Sequence, residues 1–317
     1  MKIVIAPDSF KGSQTATQAC SAIAAGLRRA SGKVEIVSIP MADGGEGTVE
    51  ALVESTGGKF QNAIVCGPSG EKITASYGIL GETTVAGSTA VIEMAEAAGL
   101  PLVPSEKRNP LKTTTYGVGQ LIIDACDQGC RDFIIGIGGS ATNDCGTGMA
   151  QALGAKFFDR QGGEITAPMT GELMGKVGSL DISTLLPELA RCSFTVACDV
   201  KNLLLGPQGA SFVYARQKGA NDEIIEILEA NMMNIIGFVE GAASKQIRDI
   251  PGSGAAGGLG AGLLAFLKAR LEPGIDIVMR YSRFAERISS ADLIITGEGQ
   301  IDGTTVSGKT IAGIASV

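Results

Sequence analysis

The sequence predicts an α/β fold built on parallel sheet, and three observations carry that prediction. Short apolar, β-rich runs alternate with amphipathic helical stretches. Most of the expected strands end in loops that combine glycine with an acid or a hydroxyl, and in open α/β sheets ligands sit outside the carboxyl ends of the strands. The composition allows large cores: 44% of the 317 residues are hydrophobic, and the 45 glycines are roughly twice the ~7% of average usage. At about 100–200 residues per domain, this length corresponds to two domains.

The elements follow in order. Residues 3–6 read as a buried strand. Residues 15–29 read as a helix, with Ala16, Ala19, Cys20, Ile23, Ala24 and Leu27 along one face. A second strand spans 34–39, and the loop 40–47 leads into a helix near 48–55. From 58 to 95, strand-like runs at 63–66, 73–80, 83–86 and 90–95 follow one another without long helices, which predicts a second, more antiparallel unit. A helix is expected over 113–128, a strand over 133–137 and one or two long helices over 221–247. The glycine-rich stretch 251–262 leads into an expected helix at 263–269. A last buried strand covers 292–296, and a helix starts at Lys309. The sequence stops at Val317 inside that helix. A parallel sheet would use such a helix to reach another strand, so the C-terminus is expected to be incomplete.

Composition excludes several chemistries. There is no histidine, hence no Ser-His-Asp relay, no H-E-x-x-H zinc site and no imidazole base. Proton transfer must fall to Asp, Glu, Lys, Tyr, Cys or water. Lys plus Arg is 26 and Asp plus Glu is 33, a net charge of −7, and only 4% of residues are aromatic. That balance argues against a nucleic-acid partner. No stretch approaches the ~18 apolar residues of a membrane span, and the first apolar run is too short for a signal peptide, so a cytoplasmic protein is expected. The seven cysteines include no C-x-x-C pair and read as reduced thiols.

Five loops carry the candidate chemistry: residues 8–13, 43–48, 138–144, the Asp199 turn and 297–302. Any one of them suits a turn or a helix cap. Together they offer backbone N–H groups for phosphate and carboxylates for Mg²⁺, which is the equipment of phosphoryl transfer. Two short motifs compete. Residues 303–310 match the P-loop pattern, but six residues separate them from the preceding strand. Gly136-x-Gly138-x-x-Ala141 follows an expected strand, and a strand-like 156–158 ends at Asp159, where a dinucleotide fold would hold its ribose. That pair supports a nicotinamide-dependent dehydrogenase as the rival reading.

As whole strings, the loops resemble the bacterial glycerate kinase family. The matching segments are PDSFKGS at 7–13, MADGGEGT at 41–48, RNPLKTTTYGVGQLI at 108–122, GIGGSATND at 136–144, CDV at 198–200, QKGA at 217–220, PGSGAAGGLGAGL at 251–263, EPGIDIV at 272–278 and ADLIITGEGQID at 291–302. The resemblance spans essentially the whole chain. It implies an ATP-dependent kinase acting on D-glycerate, without a P-loop, with 2-phosphoglycerate favoured over 3-phosphoglycerate. It also implies two α/β domains with the active site in the cleft between them. One is a Rossmann-like parallel-sheet domain formed by both chain ends (1–70 plus 260–317), and the other is inserted (71–259). Cys145, Leu203, Ala215-Arg216 and Ile311 depart from the family's usual residues, and family members continue well past the Gly308-Lys309 region. An inactive truncated fragment is therefore a further alternative.

Phosphorylating a hydroxyl requires a carboxylate base, cations for the phosphates and Mg²⁺, and the substrate carboxylate needs a positive partner. Lys11 is expected to contact a phosphate or the glycerate carboxylate, with Asp8 beside it. Asp43 or Asp199 is expected to act as base or metal ligand, supported by Glu46. Ser9, Gly44, Gly45, Gly138, Gly139, Ser140, Thr142 and Asn143 are assigned to substrate and phosphate, with Lys218 and Lys309 as further cations. Glu298 and Asp302 complete the Mg²⁺ or nucleotide set. Gly254, in the glycine-rich stretch, belongs either to a phosphate loop or to close helix packing.

Overall fold

The computed structural model describes residues 1–10, 12–83, 87–301 and 310–317. In chain order the elements are β1 (Lys2–Ile5), α1 (Ala16–Ala30), β2 (Glu35–Ser38), α2 (Thr48–Thr56), β3 (Lys59–Cys66), β4 (Lys72–Thr83), β5 (Ser88–Glu93), α3 (Ala95–Ala98), α4 (Tyr116–Asp127), β6 (Cys130–Gly136), α5 (Thr147–Ala152), β7 (Lys156–Asp159), β8 (Val177–Asp181), β9 (Ser193–Ala197), α6 (Ala210–Tyr214), α7 (Asp222–Ala243), α8 (Ala255–Phe266), β10 (Arg270–Glu272), α9 (Gly274–Tyr281), α10 (Phe284–Ile288), β11 (Leu293–Ile295) and α11 (Thr310–Ala315). Three sheets result. The first is parallel, in the order β11-β1-β2, and joins the two chain ends. The second runs β10-β9-β6-β5-β4-β3; β5, β6, β9 and β10 are parallel, and β3-β4-β5 are antiparallel. The hairpin β7-β8 stands apart.

The period-two alternation of the strands sets the layering. Ile3 and Ile5 of β1 pack with Cys20 and Ala24 of α1. The alternate residues Val4 and Ala6 face the other way, into a core shared with Val49 and Leu52 of α2 and Ile275, Ile277 and Val278 of α9. Val91, Ile134 and Ala197 of the second sheet reach that same core from the opposite side. Their neighbours Ala90, Ile92, Phe133, Ile135, Phe194 and Val196 point into the largest core, with α4, α5 and α8. Helices α2 and α9 thus lie between the two sheets.

Most expected elements form, and the shifts have local causes. Helix α1 starts on a capping box: Thr15 accepts from Gln18 N, and the Gln18 side chain accepts from Thr15 N. Helix α4 begins at Tyr116, three residues later than expected, because the threonines before it are buried and bonded elsewhere. Thr113 Oγ1 donates to Ala141 O, Thr114 Oγ1 accepts from Tyr116 N, and Thr115 donates to Asp144. Helix α7 is one piece, capped by Asn221, which accepts from Ile224 N.

Three expectations are corrected. The strand at 90–95 ends at Glu93, and Ala95 already belongs to α3. The glycine-rich stretch is not simply a lead-in to the following helix. Helix α8 starts inside it at Ala255, and Ala256, Gly257 and Gly258 are left-handed. A Cβ on Gly257 would lie 2.1 Å from Thr142 O, and one on Gly254 2.1 Å from Leu203 O, so these glycines serve close packing. The dinucleotide reading also fails. β7 pairs only with β8, not with β6, and Asp159 accepts from Gln161 N and Gly163 N in its own hairpin. Of the strand expected at 83–86, Thr83 ends β4 and the remainder lies outside the described residues. By pairing, β3 and β10 belong to the second sheet, whereas the expected division places both with the chain ends.

The two sheets meet where backbone touches backbone. A Cβ on Gly274 would sit 2.0 Å from Asp43 O, whereas one on Gly237, on the exposed side of α7, meets nothing within 4 Å. Gly274→Ala is expected to lower stability by at least ~1–3 kcal/mol, and Gly237→Ala to raise it by ~0.5–1 kcal/mol. Urea unfolding of the two variants beside the parent protein measures both; equal midpoints would refute the contact.

Candidate active site

The carboxyl ends of both sheets converge on one loop. In the first sheet, Asp8 N donates to Gly297 O and Met41 N to Pro7 O, so the loops leaving β1, β2 and β11 are tied side by side. In the second sheet, Glu93, Gly136, Ala197 and Glu272 end their strands in register. Gly44, in the loop from β2 to α2, lies against two of those ends, Gly136 and Ala197, and against Gly274 at the start of α9. Its φ is +89°, and a Cβ on it would meet Ala197 Cβ at 2.7 Å and Gly274 Cα at 2.9 Å. A Cβ on Gly136 would meet Gly44 O at 2.9 Å. Two cavities flank this loop. One, of about 440 Å³, is walled by Asp43, Gly44, Gly138, Ser140, Asp199 and Lys218. The other, of about 400 Å³, is walled by Asp8, Ser9, Glu46, Glu50, Glu93 and Glu96.

The first cavity carries one cation and two acids among its described lining residues. Lys218 is 1% exposed; its Nζ donates to Ser140 Oγ and to Thr142 O, each at 2.7 Å. Burial pushes the lysine down to about 7, against the opposing pull of Asp144. Asp43 Oδ1 accepts from Gly45 N at 3.2 Å. Asp199 Oδ1 accepts from Gly274 N at 3.0 Å, so it ties the end of β9 to the start of α9, which leaves the adjacent strand β10. Gly138 and Gly139 are exposed between these side chains. The loop behind them is organised by Asp144, which is fully buried and accepts from Thr115 N, Thr115 Oγ1, Gly146 N and Gly148 N. Cys145 takes a left-handed φ of +56°, a conformation glycine adopts without strain.

The second cavity is acidic. Burial raises Asp8, with Asp43 and Glu298 adding to the rise, while bonds from Thr310 Oγ1 and Ser9 N oppose it. Glu93 is raised by burial from the ordinary 4.5 to about 7; Glu96 and Glu46 add to the rise, and the bond from Val49 N at the start of α2 opposes it.

The structure therefore divides the expected residues. Asp43, Gly44, Gly45, Gly138, Gly139, Ser140, Asp199 and Lys218 line one cavity, and Asp8, Ser9 and Glu46 line the other. Thr142 and Asn143 are fully buried, and Thr142 Oγ1 and both amide atoms of Asn143 have no partner within the described protein. Gly254 packs under Leu203. Lys11, Asp302 and Lys309 lie outside the described residues, as does nearly all of the 303–310 motif. Among the described residues, no three His, Cys, Asp or Glu side chains converge on a metal position. The available donors still suit Mg²⁺, which takes one or two carboxylates and completes its shell with phosphate oxygens. Asp43, Asp199 and Glu298 offer only oxygen, and Glu298 Oε1 is buried without a partner among the described residues. Sequence reasoning passed over Glu93 and Asp144. Glu93 closes an apolar strand, and Asp144 follows Asn143 in a quoted loop, but nothing in either local string marks its burial.

Glu93 makes stability depend on pH. A carboxyl raised by folding contributes fully below the unfolded value near 4.5, and that contribution is lost as pH rises through about 7. Glu93→Gln keeps an acceptor for Val49 N and removes the buried charge. It is expected to stabilise the protein by up to ~3 kcal/mol at about pH 8 and to give no gain at about pH 4.5. Thermal melts at both values check this; a gain independent of pH would refute it.

The site's geometry can now be set beside known proteins. The family model described as "Glycerate kinase family" matches residues 3–317. Glycerate 2-kinase of Escherichia coli (strain K12) is 49% identical over 317 residues, covering 100% of this chain and 82% of that protein. Glycerate kinase of Halalkalibacterium halodurans is 49% identical over 313 residues, 99% of this chain and 81% of that one. A crystal structure of a candidate glycerate kinase 2 from Salmonella typhimurium LT2 superposes with a TM-score of 0.92 at 46% identity, over 100% of this chain and 83% of that one. The chain belongs to the glycerate kinase family.

Proposed function

We propose that this enzyme transfers the terminal phosphoryl group of ATP to the 2-hydroxyl of D-glycerate, giving 2-phosphoglycerate and ADP. Family membership supports the kinase chemistry. The 2-position is supported by the name of the Escherichia coli relative, glycerate 2-kinase. One observation carries the site assignment: a lysine and two carboxylates, Lys218, Asp43 and Asp199, line a 440 Å³ cavity together with Gly44, Gly45, Gly138 and Gly139 and the polar residues Ser140, Tyr214 and Gln217.

In this reading the acceptor hydroxyl lies against Asp43, which receives its proton. The Gly138–Ser140 backbone holds phosphate oxygens, as bare N–H groups do at phosphate sites. Asp8 and Glu46 border the neighbouring cavity and keep the Asp43 loop in a field of negative charge. Mg²⁺, held by Asp199 or Glu298, would neutralise charge on the phosphates. Lys11 and Lys309 are assigned to the same phosphates or the glycerate carboxylate, and Asp302 to Mg²⁺ or the nucleotide. The division of labour between two units rests on the two larger sheets, one of β1, β2 and β11 and the other of β3 to β6, β9 and β10. A cytoplasmic location fits the seven free cysteines.

The test is ADP release from the purified protein with D-glycerate, with and without Mg²⁺. Turnover is expected only when glycerate, ATP and Mg²⁺ are all present, and phosphorus NMR is expected to show 2-phosphoglycerate. Asp43→Asn is expected to cost ~10²–10⁴-fold in kcat with an unchanged melting temperature. Near-normal turnover of that variant would remove Asp43 from the reaction.

A further inference from the structure

We infer that Lys218 is the group that recognises the carboxylate of the organic acid acceptor, and so makes the cavity specific for an acid over a neutral polyol. This inference rests on the kinase reading above and names how the site selects its acceptor.

Lys218 is a buried cation with no committed counter-ion among the described residues. Lysine is almost never fully buried unless paired, and Lys218 is 1% exposed. Both of its hydrogen bonds go to neutral oxygens, Ser140 Oγ and Thr142 O. The nearest carboxylate behind it, Asp144, is already committed to four donors from Thr115, Gly146 and Gly148. An ammonium has three donors, so one N–H remains for the cavity that Lys218 lines. No other cation lines that cavity among its described residues, and apolar Leu100, Ile137 and Val200 share its wall. A counter-ion entering there would meet an ammonium already stripped of water, where attraction is strong.

The shape of the site favours a carboxylate over a phosphate chain. Lys218 is sunk behind Ser140 and offers a single proton, enough for one oxygen of a small group. Triphosphate recognition needs several donors, and exposed Gly138 and Gly139 supply backbone for that at the same mouth. Asp43 and Asp199 face the cavity from the loops after β2 and β9. A molecule with a carboxylate at one end and a hydroxyl next to it matches this polarity: the anion to Lys218, the hydroxyl to an acid.

Proton linkage gives an independent signature. Burial already brings Lys218 down to about 7, so a carboxylate bound to it must draw a proton from solvent above that pH. The other titratable groups around it are Asp144 behind, Asp43 and Asp199 across the cavity, and Cys198 and Tyr214, both pushed up by burial and hence neutral.

The test uses the whole protein. Calorimetric titration with D-glycerate at about pH 8, in two buffers of different ionisation enthalpy, is expected to show proton uptake on binding, with little at about pH 5.5. Glu93→Gln should retain the uptake. Lys218→Met should raise the KM for glycerate on the order of 100-fold while leaving the KM for ATP within about twofold. Its poor turnover of glyceramide, the neutral analogue, should match that of the parent protein. A rise in the KM for ATP instead, an unchanged KM for glycerate, or glycerate binding without proton uptake would each overturn the assignment. If Lys218→Met does not fold, proton uptake by the parent protein decides alone. A parent protein that binds glycerate with uptake but releases no ADP would sink the kinase reading and leave the role of Lys218 standing.

Discussion

The architecture depends on a place where chain crosses chain with no room for side chains. Gly44 lies against Ala197 and Gly274, Gly136 against Gly44, and Gly274 against Asp43. These contacts press the loop between β2 and α2 onto the strand ends of a different sheet. Because interiors pack at crystal-like density, an added methyl group there cannot be absorbed by small adjustments. The consequence is positional. Asp43 is held between the carboxyl ends of two sheets, with a cavity on each side of its loop. Asp199 reinforces the same junction by tying the end of β9 to the start of α9, and α9 in turn shares a core with β1 and α2. Packing and site geometry are thus set by the same few atoms.

Buried charge is the second organising feature. Asp144 ties the start of α4 to the start of α5 through Thr115, Gly146 and Gly148. Removing any one donor would leave a buried carboxylate short of compensation, which is costly in low dielectric. Glu93 plays a comparable part for α2, where its carboxylate accepts from Val49 N. Burial raises both carboxyls. The fold therefore carries strain-free but electrostatically expensive groups beside its cavities, as expected where stability yields to function.

Much of this was legible in the sequence. The parallel sheet near the N-terminus followed from alternation, its completion by the other chain end only from the family resemblance, and the antiparallel run from the absence of long helices between 58 and 95. The loops at Asp8, Asp43 and Gly138 were found because strand, glycine and acid follow one another there, and the Asp199 turn because an acid ends a strand. What could not be read was which loops meet across the molecule. Nothing in the string around Gly274 says that it approaches Asp43, a residue more than two hundred positions away. The burial of Lys218 was invisible for the same reason, since the Ser140 and Thr142 oxygens that hold it arrive from another element. Local rules also failed where backbone is unusual. Helix α8 begins in a left-handed turn at Ala256, Gly257 and Gly258, a conformation that hydrophobic periodicity does not encode.

The absence of histidine is coherent with this site. Histidine's usual advantage is titration near neutrality. Here the same range is reached by burying ordinary groups: Glu93 is lifted to about 7 and Lys218 lowered to about 7. The two lie in different cavities on either side of the Asp43 loop, one gaining a proton more readily than usual and the other losing it. Phosphoryl transfer asks mainly for positioning and charge neutralisation. A rigid junction of glycines, a buried ammonium and carboxylates of adjustable charge provide both without an imidazole.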